Sequence, residues 1–161
     1  MSVRILVTGG TFDKEYDMID GDLHFTETHI PGILELGRCT VDYNIRTLMM
    51  VDSLEMNDAD RAIIKRNCEM AEEDNILITH GTDTITETGR FLAEAKLDKT
   101  IVLTGAMVPY AFGASDALFN LGSAFAFVQA LPKGVYIVMN GKCHSWDKVR
   151  KNKKTGFFEE I

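Results

Sequence analysis

Two Gly-Thr pairs in the chain have the residue types that acyl transfer requires. The first is Gly10-Thr11, in the segment TGGT at residues 8–11, and the second is Gly81-Thr82, in HGTDT at residues 80–84. Acyl transfer needs an oxygen nucleophile, an activating group and donors for the oxyanion, and a threonine beside exposed backbone N–H groups offers the first and the last. Each pair alone is also typical of a turn or a helix cap. Together they predict a site for acyl transfer, provided that the fold brings them to one place.

Two further segments carry polar or small residues in the same kind of position. Residues 52–58 (DSLEMND) follow the apolar run Ile45–Val51, and residues 105–107 (GAM) follow the run Thr100–Thr104. All four segments therefore come directly after a short run of β type. Because the carboxyl ends of parallel strands meet at one edge of a sheet, a parallel arrangement would bring these hydroxyls, acids and glycines together.

The elements that must position these segments alternate between short β-rich runs and longer helical periods. The predicted strands are Val3–Thr8, Ile45–Val51, Asn75–Thr79, Thr100–Thr104 and Gly134–Met139. The predicted helices are Pro31–Arg38, a helix from its Asn57 cap to Glu73, Thr84–Lys96 with a capping box of Thr84 and Glu87, and Asp116–Ala130. Residues 11–29 lack a clean period and predict a long loop or a hairpin. Apolar strands separated by helices predict an α/β fold, an open and mostly parallel Rossmann-like sheet with helices on both faces.

Length and composition favour a single globular domain over residues 1–161. The chain is 45% apolar and 25% charged, which is ordinary for a folded domain. Its formal net charge of −7 argues against nucleic acid or an anionic membrane as a partner, because both attract surplus positive charge. No apolar run approaches the roughly 18 residues of a membrane span or resembles the core of a signal peptide. The three cysteines, an odd number without a CxxC pair, predict reduced thiols in a cytoplasmic protein.

Nucleotide and metal chemistry find little support in the residues. The glycines after the first predicted strand lack the GxGxxG spacing, and no GxxxxGK[ST] occurs. The four histidines, which show no metal-ligand spacing, are His24, His29, His80 and His144. His80, at the end of a predicted strand, is typical of a hydrogen-bonded structural histidine, and a catalytic imidazole is the alternative. The sequence therefore predicts neither a metal nor a cofactor.

The motifs resemble those of the bacterial-type L-asparaginase family. TGGTF at residues 8–12 is similar to the family's first threonine motif, and HGTDT at residues 80–84 to its second. The segments that also match are DSLEMND (52–58, like the substrate-binding loop), LTGAMVP (103–109, like the GAM-x-P turn), FNL (119–121) and VMN (138–140). The resemblance covers essentially the whole chain and implies the fold of the asparaginase N-terminal domain.

The resemblance implies five catalytic residues. Thr11 would be the nucleophile, and Tyr16 would supply a hydroxyl that helps to activate it. Thr82, Asp83 and Lys151 would form a second group that polarises the threonine hydroxyl. Many family members carry the tyrosine further along the loop, so a packed aromatic is the alternative for Tyr16. Lys151 follows from a gap-free match onward from VMN, and a solvated basic tail is the alternative for it.

The resemblance also implies the residues that hold the substrate, which are Gly10, Ser53, Glu55, Gly81 and Ala106. Ser53 and Glu55 match the positions that grip the α-carboxylate and the α-amino group, because hydroxyl or backbone donors suit a carboxylate and an acid suits an ammonium. Leu54 stands where the family usually has a glutamine, which removes one amide from the site. The chain is expected to lack the family's C-terminal domain, whose neighbouring copy supplies an acid to the site.

The function that the resemblance implies is release of ammonia from L-asparagine, with L-aspartate formed through an acyl-enzyme on Thr11 and no cofactor. Another small amide, such as glutamine or a D-amino-acid amide, is the enzymatic alternative. A non-catalytic module that binds an amino acid is the alternative from a different class of protein.

The last predicted helix bears on assembly. Its residues 117–130 (ALFNLGSAFAFVQA) are apolar on nearly every side, more than packing against one sheet requires. Since closed symmetric oligomers are common, we expect a homodimer or homotetramer with this helix in the interface. A helix enclosed within the monomer is the alternative.

Overall fold

A computed structural model describes every residue of the chain, Met1–Ile161. Its strands are β1 (Ser2–Gly9), β2 (Lys14–Tyr16), β3 (Leu23–Phe25), β4 (Asp42–Val51), β5 (Asn75–Thr79), β6 (Thr100–Thr104), β7 (Gly134–Met139), β8 (Lys142–Ser145), β9 (Val149–Lys151) and β10 (Phe158–Glu160). Its α-helices are α1 (Ile30–Leu36), α2 (Asp58–Met70), α3 (Ile85–Glu94) and α4 (Ala117–Ala130). Single turns of 3-10 helix lie at Thr11–Asp13 and Tyr110–Phe112.

Six strands form the central sheet, in the order β4-β1-β5-β6-β7-β8. The five predicted strands pair in parallel, and β8 pairs antiparallel with β7. β8 is absent from the prediction because its sequence, KCHS, has neither an apolar run nor a clear period. Asn140 and Gly141 connect β7 to β8 with φ values of 56° and 78°, as a tight two-residue hairpin requires.

Helices cover both faces of this sheet. Successive side chains of β1 point to opposite faces, so Ile5 packs in a buried cluster with α1 and α4, and Leu6 packs in a second cluster with α2 and α3. The expected α/β class, with a mostly parallel sheet between two layers of helices, is confirmed.

The structure corrects two local predictions around the helices. α2 ends at Met70 rather than at Glu73, because the backbone of Ala71 is extended. Thr84 precedes α3 but makes no capping hydrogen bond, so the predicted capping box is wrong. Its hydroxyl instead donates to the Ser53 carbonyl at 2.8 Å, which ties the start of α3 to the loop after β4.

Two segments without a helical period form hairpins. Residues 11–29 contain a 3-10 turn and the antiparallel β2–β3 pair, so the hairpin alternative for this segment is confirmed. Arg150 and Lys151 lie in the antiparallel β9–β10 pair rather than in a solvated tail, whereas Lys148, Lys153 and Lys154 are exposed beside it. Val149 and Phe158 of this pair are buried in the same cluster as α2 and α3, which fixes the hairpin on the domain.

The sheet order creates a crevice beside β1. The chain passes from β1 to β4 on one side, and then from β4 past β1 to β5 on the other side. The position between β1 and β5 is therefore a topological switch point, where open parallel sheets bind their ligands. The first Gly-Thr pair directly follows β1, and the second follows β5 after His80.

Three further sequence features can be compared with the structure. The cysteines are free thiols, as expected, and burial raises the pKa of Cys68 to about 12, which makes that thiol unreactive. α4 buries Leu121 and Phe125 against the sheet while leaving Leu118 and Phe119 exposed, so it is apolar on two sides. None of the helices has the length and apolar character needed to span a bilayer.

Candidate active site

Glycines allow the ends of β1 and β5 to approach each other closely. Gly10 has a φ of +77°, which favours glycine, and a Cβ at this position would lie 2.5 Å from the Cα of Gly81. The backbone of the first Gly-Thr pair therefore touches that of the second. Thr11 and Thr82, each one residue further along, lie at the same edge of the sheet.

The loop after β4 and the turn after β6 reach the same edge. A Cβ on Gly81 would lie 2.5 Å from both the Cβ and the Oγ of Ser53, whose side chain is buried. A Cβ on Gly105 would lie 3.1 Å from the Cγ2 of Thr82, and the following residue, Ala106, is buried. Segments from four parallel strands thus meet at the crevice.

A lysine joins the second Gly-Thr pair through two short hydrogen bonds. Lys151 Nζ donates to Thr82 Oγ1 and to Asp83 Oδ1, both at 2.8 Å. Its side chain is only 13% exposed, although its neighbours in the chain are solvated lysines. The Thr82 hydroxyl directs its own proton at the Sδ of Met107, 3.6 Å away, and a thioether sulfur is a weak acceptor.

Two buried or half-buried asparagines hold the hairpin that carries Lys151. The Phe158 N–H of β10 donates to Asn140 Oδ1 at 3.1 Å. The Asn140 N–H in turn donates to Asn120 Oδ1 at 3.1 Å, and Asn120 Nδ2 donates to the Gly105 carbonyl at 3.0 Å. Both asparagines belong to segments that resemble the family, but the sequence alone assigns them no role. For Asn120, a polar residue inside an apolar run is the signal that could have identified it.

Backbone N–H groups at the crevice differ in whether they already have a partner. The Gly10 N–H donates to the Val51 carbonyl at 2.9 Å, so it cannot also donate to a ligand. The N–H groups of Thr11 and Thr82 donate no hydrogen bond within the chain. These two groups are therefore free to bind an anion or a carbonyl oxygen placed between the two segments.

Two of the residues that the resemblance implies, Tyr16 and Glu55, are exposed. Tyr16 is 55% exposed at the end of β2, and its hydroxyl lies within 4 Å of the position of a Cβ on Gly21, in the turn of the same hairpin. No hydrogen bond joins the phenol to Thr11. Glu55 is exposed on the loop after β4, where its N–H donates to the Asp52 carbonyl at 2.9 Å and its carboxylate forms no ion pair.

Charged residues that the sequence does not single out lie beside Thr11. Lys14 Nζ is 2.6 Å from Asp52 Oδ2, and this ammonium, followed by the Leu54 N–H, holds the pKa of Asp52 below its usual value. Asp13 is fully buried, which raises its pKa, and its Oδ1 accepts from the His29 N–H at 2.8 Å. This hydrogen bond joins the two ends of residues 13–29, the segment that contains the β2–β3 hairpin.

His80 belongs to a buried chain of hydrogen bonds behind the site. Its Nδ1 lies 2.7 Å from the Gly81 carbonyl, which only accepts, so Nδ1 carries the proton. Nε2 therefore accepts from the Thr88 hydroxyl at 2.7 Å, and that oxygen accepts from Arg61 Nε at 3.1 Å. Burial lowers the pKa of His80 to about 4, so its ring is neutral at pH 7. These contacts agree with a structural role in supporting Gly81.

The lowered pKa of His80 predicts a loss of stability on acidification. Between pH 6.5 and 4 the unfolded chain protonates this histidine while the folded chain keeps it neutral, so acid favours unfolding. The free energy of unfolding should fall across this window by at most about 1.4 kcal/mol per pH unit from this group. Urea titrations at several pH values measure the slope. The variant His80→Gln lacks the titrating ring and should have a shallower slope, and equal slopes would contradict the assignment.

The contact of Gly81 with Ser53 predicts that Gly81→Ala disrupts the site. The added methyl group would overlap the Cβ and Oγ of Ser53, so the β5 segment or the β4 loop must move. A displacement of about 1 Å is expected to lower kcat/KM for the hydrolysis that the resemblance implies by roughly 100-fold. Gly32→Ala in α1 is the matched control, because a Cβ there also meets nothing within 4 Å. It should raise the free energy of unfolding by about 0.5–1 kcal/mol, since alanine favours a helix over glycine.

Metal binding receives no support from the side chains. The structure contains no group of three or more histidine, cysteine, aspartate or glutamate residues placed to hold a metal ion. The absence of a metal from the reaction stays a prediction.

The fold and the crevice define a Rossmann-like α/β protein with a hydroxyl-rich site at its switch point. The family model described as "Asparaginase, N-terminal" matches residues 2–158. The chain therefore belongs to the asparaginase family, as the motifs indicate.

Relatives and solved structures agree with this assignment. The glutaminase-asparaginase of Pseudomonas fluorescens biotype A is 35% identical, and the match covers 98% of this chain and 48% of the relative. One subunit of the glutamyl-tRNA(Gln) amidotransferase of Methanococcus vannielii is 33% identical over 93% of this chain and 38% of its own length. The thermostable L-asparaginase from Thermococcus kodakarensis superposes with a TM-score of 0.83 at 28% identity, over 100% of this chain and 51% of that one. The chain thus spans about half the length, or less, of the proteins it matches.

Proposed function

We propose that this chain hydrolyses the side-chain amide of L-asparagine to L-aspartate and ammonia through an acyl-enzyme on Thr11. The observation that supports this most directly is the bonded group of Lys151, Thr82 and Asp83, opposite Thr11 across the switch point. A module that only binds amino acids would not need a lysine buried against a threonine hydroxyl beside a second threonine.

Substrate binding uses the loop after β4 and the carboxylate of Asp83. The Ser53 hydroxyl suits the α-carboxylate, and Glu55 and Asp83 suit the α-ammonium. Gly10 and Gly81 let the two Gly-Thr segments pack closely, and together with Ala106 they would contact the substrate through backbone or Cβ atoms only. The side-chain amide would then lie between Thr11 and Thr82.

The reaction follows from these positions in two steps. Thr11 Oγ1 bonds to the amide carbon and gives up its proton to the Lys151–Thr82 pair, while the oxyanion accepts from the N–H groups of Thr11 and Thr82. The pair passes that proton to the nitrogen as the C–N bond breaks, and ammonia leaves. Water then attacks the ester carbon, one of its protons returns to Thr11 Oγ1 as the ester bond breaks, and aspartate leaves. Tyr16 would have to move toward Thr11 to take part, and its role stays a prediction.

The range of substrates and the assembly form part of the same proposal. A relative named glutaminase-asparaginase makes glutamine the first alternative amide to compare with asparagine. We expect a homodimer or homotetramer that covers the exposed apolar side of α4, where Leu118 and Phe119 lie. A cytoplasmic location remains an expectation from the reduced cysteines.

The decisive test is ammonia release by the purified protein. Asparagine and glutamine should be compared in a coupled assay, with protein carrying Thr11→Ala as the background. Addition of hydroxylamine should divert the acyl-enzyme to aspartyl hydroxamate, which reports the covalent intermediate. Binding of aspartate without ammonia release above the background would instead support the non-catalytic module.

A further inference from the structure

The Lys14–Asp52 ion pair links the two segments on either side of the proposed pocket. Lys14 is the first residue of β2, three residues after Thr11, and Asp52 begins the loop that carries Ser53. Their charged atoms lie 2.6 Å apart across a separation of 38 residues. The Lys14 side chain is only 15% exposed, and its ammonium lies 5.6 Å from the centre of the Phe25 ring in the paired strand β3.

Both carboxylate oxygens of Asp52 have a definite partner. Oδ2 accepts from Lys14, while Oδ1 accepts from the Leu54 N–H at 2.9 Å. The Asp52 carbonyl also accepts from the Glu55 N–H at 2.9 Å. The conformation of the turn that presents Ser53 and Glu55 is thus connected through one aspartate to the hairpin that follows Thr11.

Thr11 lies between two connections to the segment formed by the end of β4 and the loop after it. On its N-terminal side, the Gly10 N–H donates to the Val51 carbonyl at 2.9 Å. On its C-terminal side, Lys14 pairs with Asp52. The intervening turn, Thr11–Asp13, is a single turn of 3-10 helix, so its position depends on how both ends are held.

We propose that Lys14 and Asp52 are positioning residues that hold Thr11 at its distance from the Ser53–Glu55 turn. The proposal rests on the proposed hydrolysis, because it assigns the pair a role in the alignment of the nucleophile with the bound substrate. Neither residue touches the reacting atoms. Partly exposed ion pairs contribute little to global stability, so the effect of this pair is expected in the site rather than in the free energy of unfolding.

The test removes the ion pair without removing the turn. Lys14→Met deletes the ammonium, and Asp52→Asn keeps an oxygen that accepts from the Leu54 N–H. Each variant should lower kcat/KM for asparagine by about 10- to 100-fold through misplacement of the nucleophile. The kcat/KM of the double variant should be no lower than that of the less active single variant, because both substitutions remove the same interaction. Lys14→Arg should recover most of the activity, since its guanidinium can still pair with the aspartate.

A second ion pair supplies the matched control. Lys133 and Asp98 also lie 2.6 Å apart, but at the amino ends of β6 and β7, at the opposite edge of the sheet. Lys133→Met should leave kcat/KM unchanged. A kcat/KM for Lys14→Met that equals the wild-type value, or a double variant with multiplied losses, would overturn the proposal.

Hydrogen exchange separates this inference from the proposed function. Loss of the ion pair should speed exchange of the β2–β3 amides by about tenfold while leaving the β5 amides unchanged. If the wild-type protein released no ammonia, the proposed function would fail, and exchange would still decide whether the pair holds the hairpin. Unchanged exchange in Lys14→Met would overturn the positioning role by itself.

Discussion

Replacement of Thr11 by alanine should lower kcat for asparagine hydrolysis by about three orders of magnitude or more, leaving only the residual rate that binding and the oxyanion donors support. The free energy of unfolding should change by less than about 1 kcal/mol, because Thr11 Oγ1 makes no hydrogen bond within the chain and the side chain is only half-buried. Steady-state ammonia release measures the first effect, and urea unfolding measures the second.

Two variants make the result specific for the Thr11 hydroxyl. Thr11→Ser retains a hydroxyl at the same position and should recover much of the lost rate. Thr26→Ala removes an exposed hydroxyl just after β3, whose only hydrogen bond is to Glu15 at 3.0 Å. The kcat of this variant should remain close to that of the wild type. If Thr11→Ala turned over asparagine normally while Thr26→Ala did not, the nucleophile would have to be sought in the hairpin.

The sheet and its crevice could be predicted because their causes are local. Each of the five predicted strands is a short apolar run that ends at glycine, a polar residue or a turn, so its type and its end are both visible in the sequence. The switch point follows once those strands are placed in parallel, and it explains why TGGT and HGTDT come together. β8 escapes prediction because an edge strand with three polar residues out of four needs no apolar pattern of its own.

The parts that could not be predicted depend on contacts between distant residues. The pairing of Lys14 with Asp52 and the link from Asn140 to Phe158 join segments that have no shared local pattern. Thr84 illustrates the same point, since its spacing from Glu87 favours a capping box but a carbonyl 31 residues away takes its hydroxyl. Local propensity is therefore overruled where two loops meet at the site.

The position of Tyr16 shows a different limit of sequence reasoning. A match of motifs can assign a tyrosine to the activating role, but the distance from Thr11 depends on the conformation of the hairpin. With β2 paired to β3, Tyr16 lies opposite Leu23 and points its hydroxyl toward the turn. Contact between the phenol and Thr11 would need a rotation of the exposed Tyr16 side chain or a movement of the hairpin, so the role of Tyr16 depends on that rearrangement.

Lys151→Met should lower kcat by about three orders of magnitude with a much smaller change in KM, because the proposed role of the lysine is in proton transfer rather than in binding. Methionine keeps an unbranched side chain of similar length, so the β9–β10 hairpin should stay in place. Asp83 would lose its ion pair, and Thr82 would keep only the weak sulfur acceptor of Met107. Ammonia release over a range of asparagine concentrations separates kcat from KM.

The same hairpin contains the matched control for this prediction. Lys153 lies two residues further along, is exposed and forms no ion pair, so Lys153→Met removes the same charge at nearly the same place. If the general basic character of the segment attracted the substrate, both variants would raise KM alike. If Lys151 acts through its 2.8 Å contact with Thr82, only Lys151→Met should lower kcat, and Thr82→Val should lower it to a similar level with no further loss in the double variant. If Lys151→Met retained the wild-type kcat, another residue would have to transfer the proton. The Lys151–Thr82–Asp83 group would then be structural.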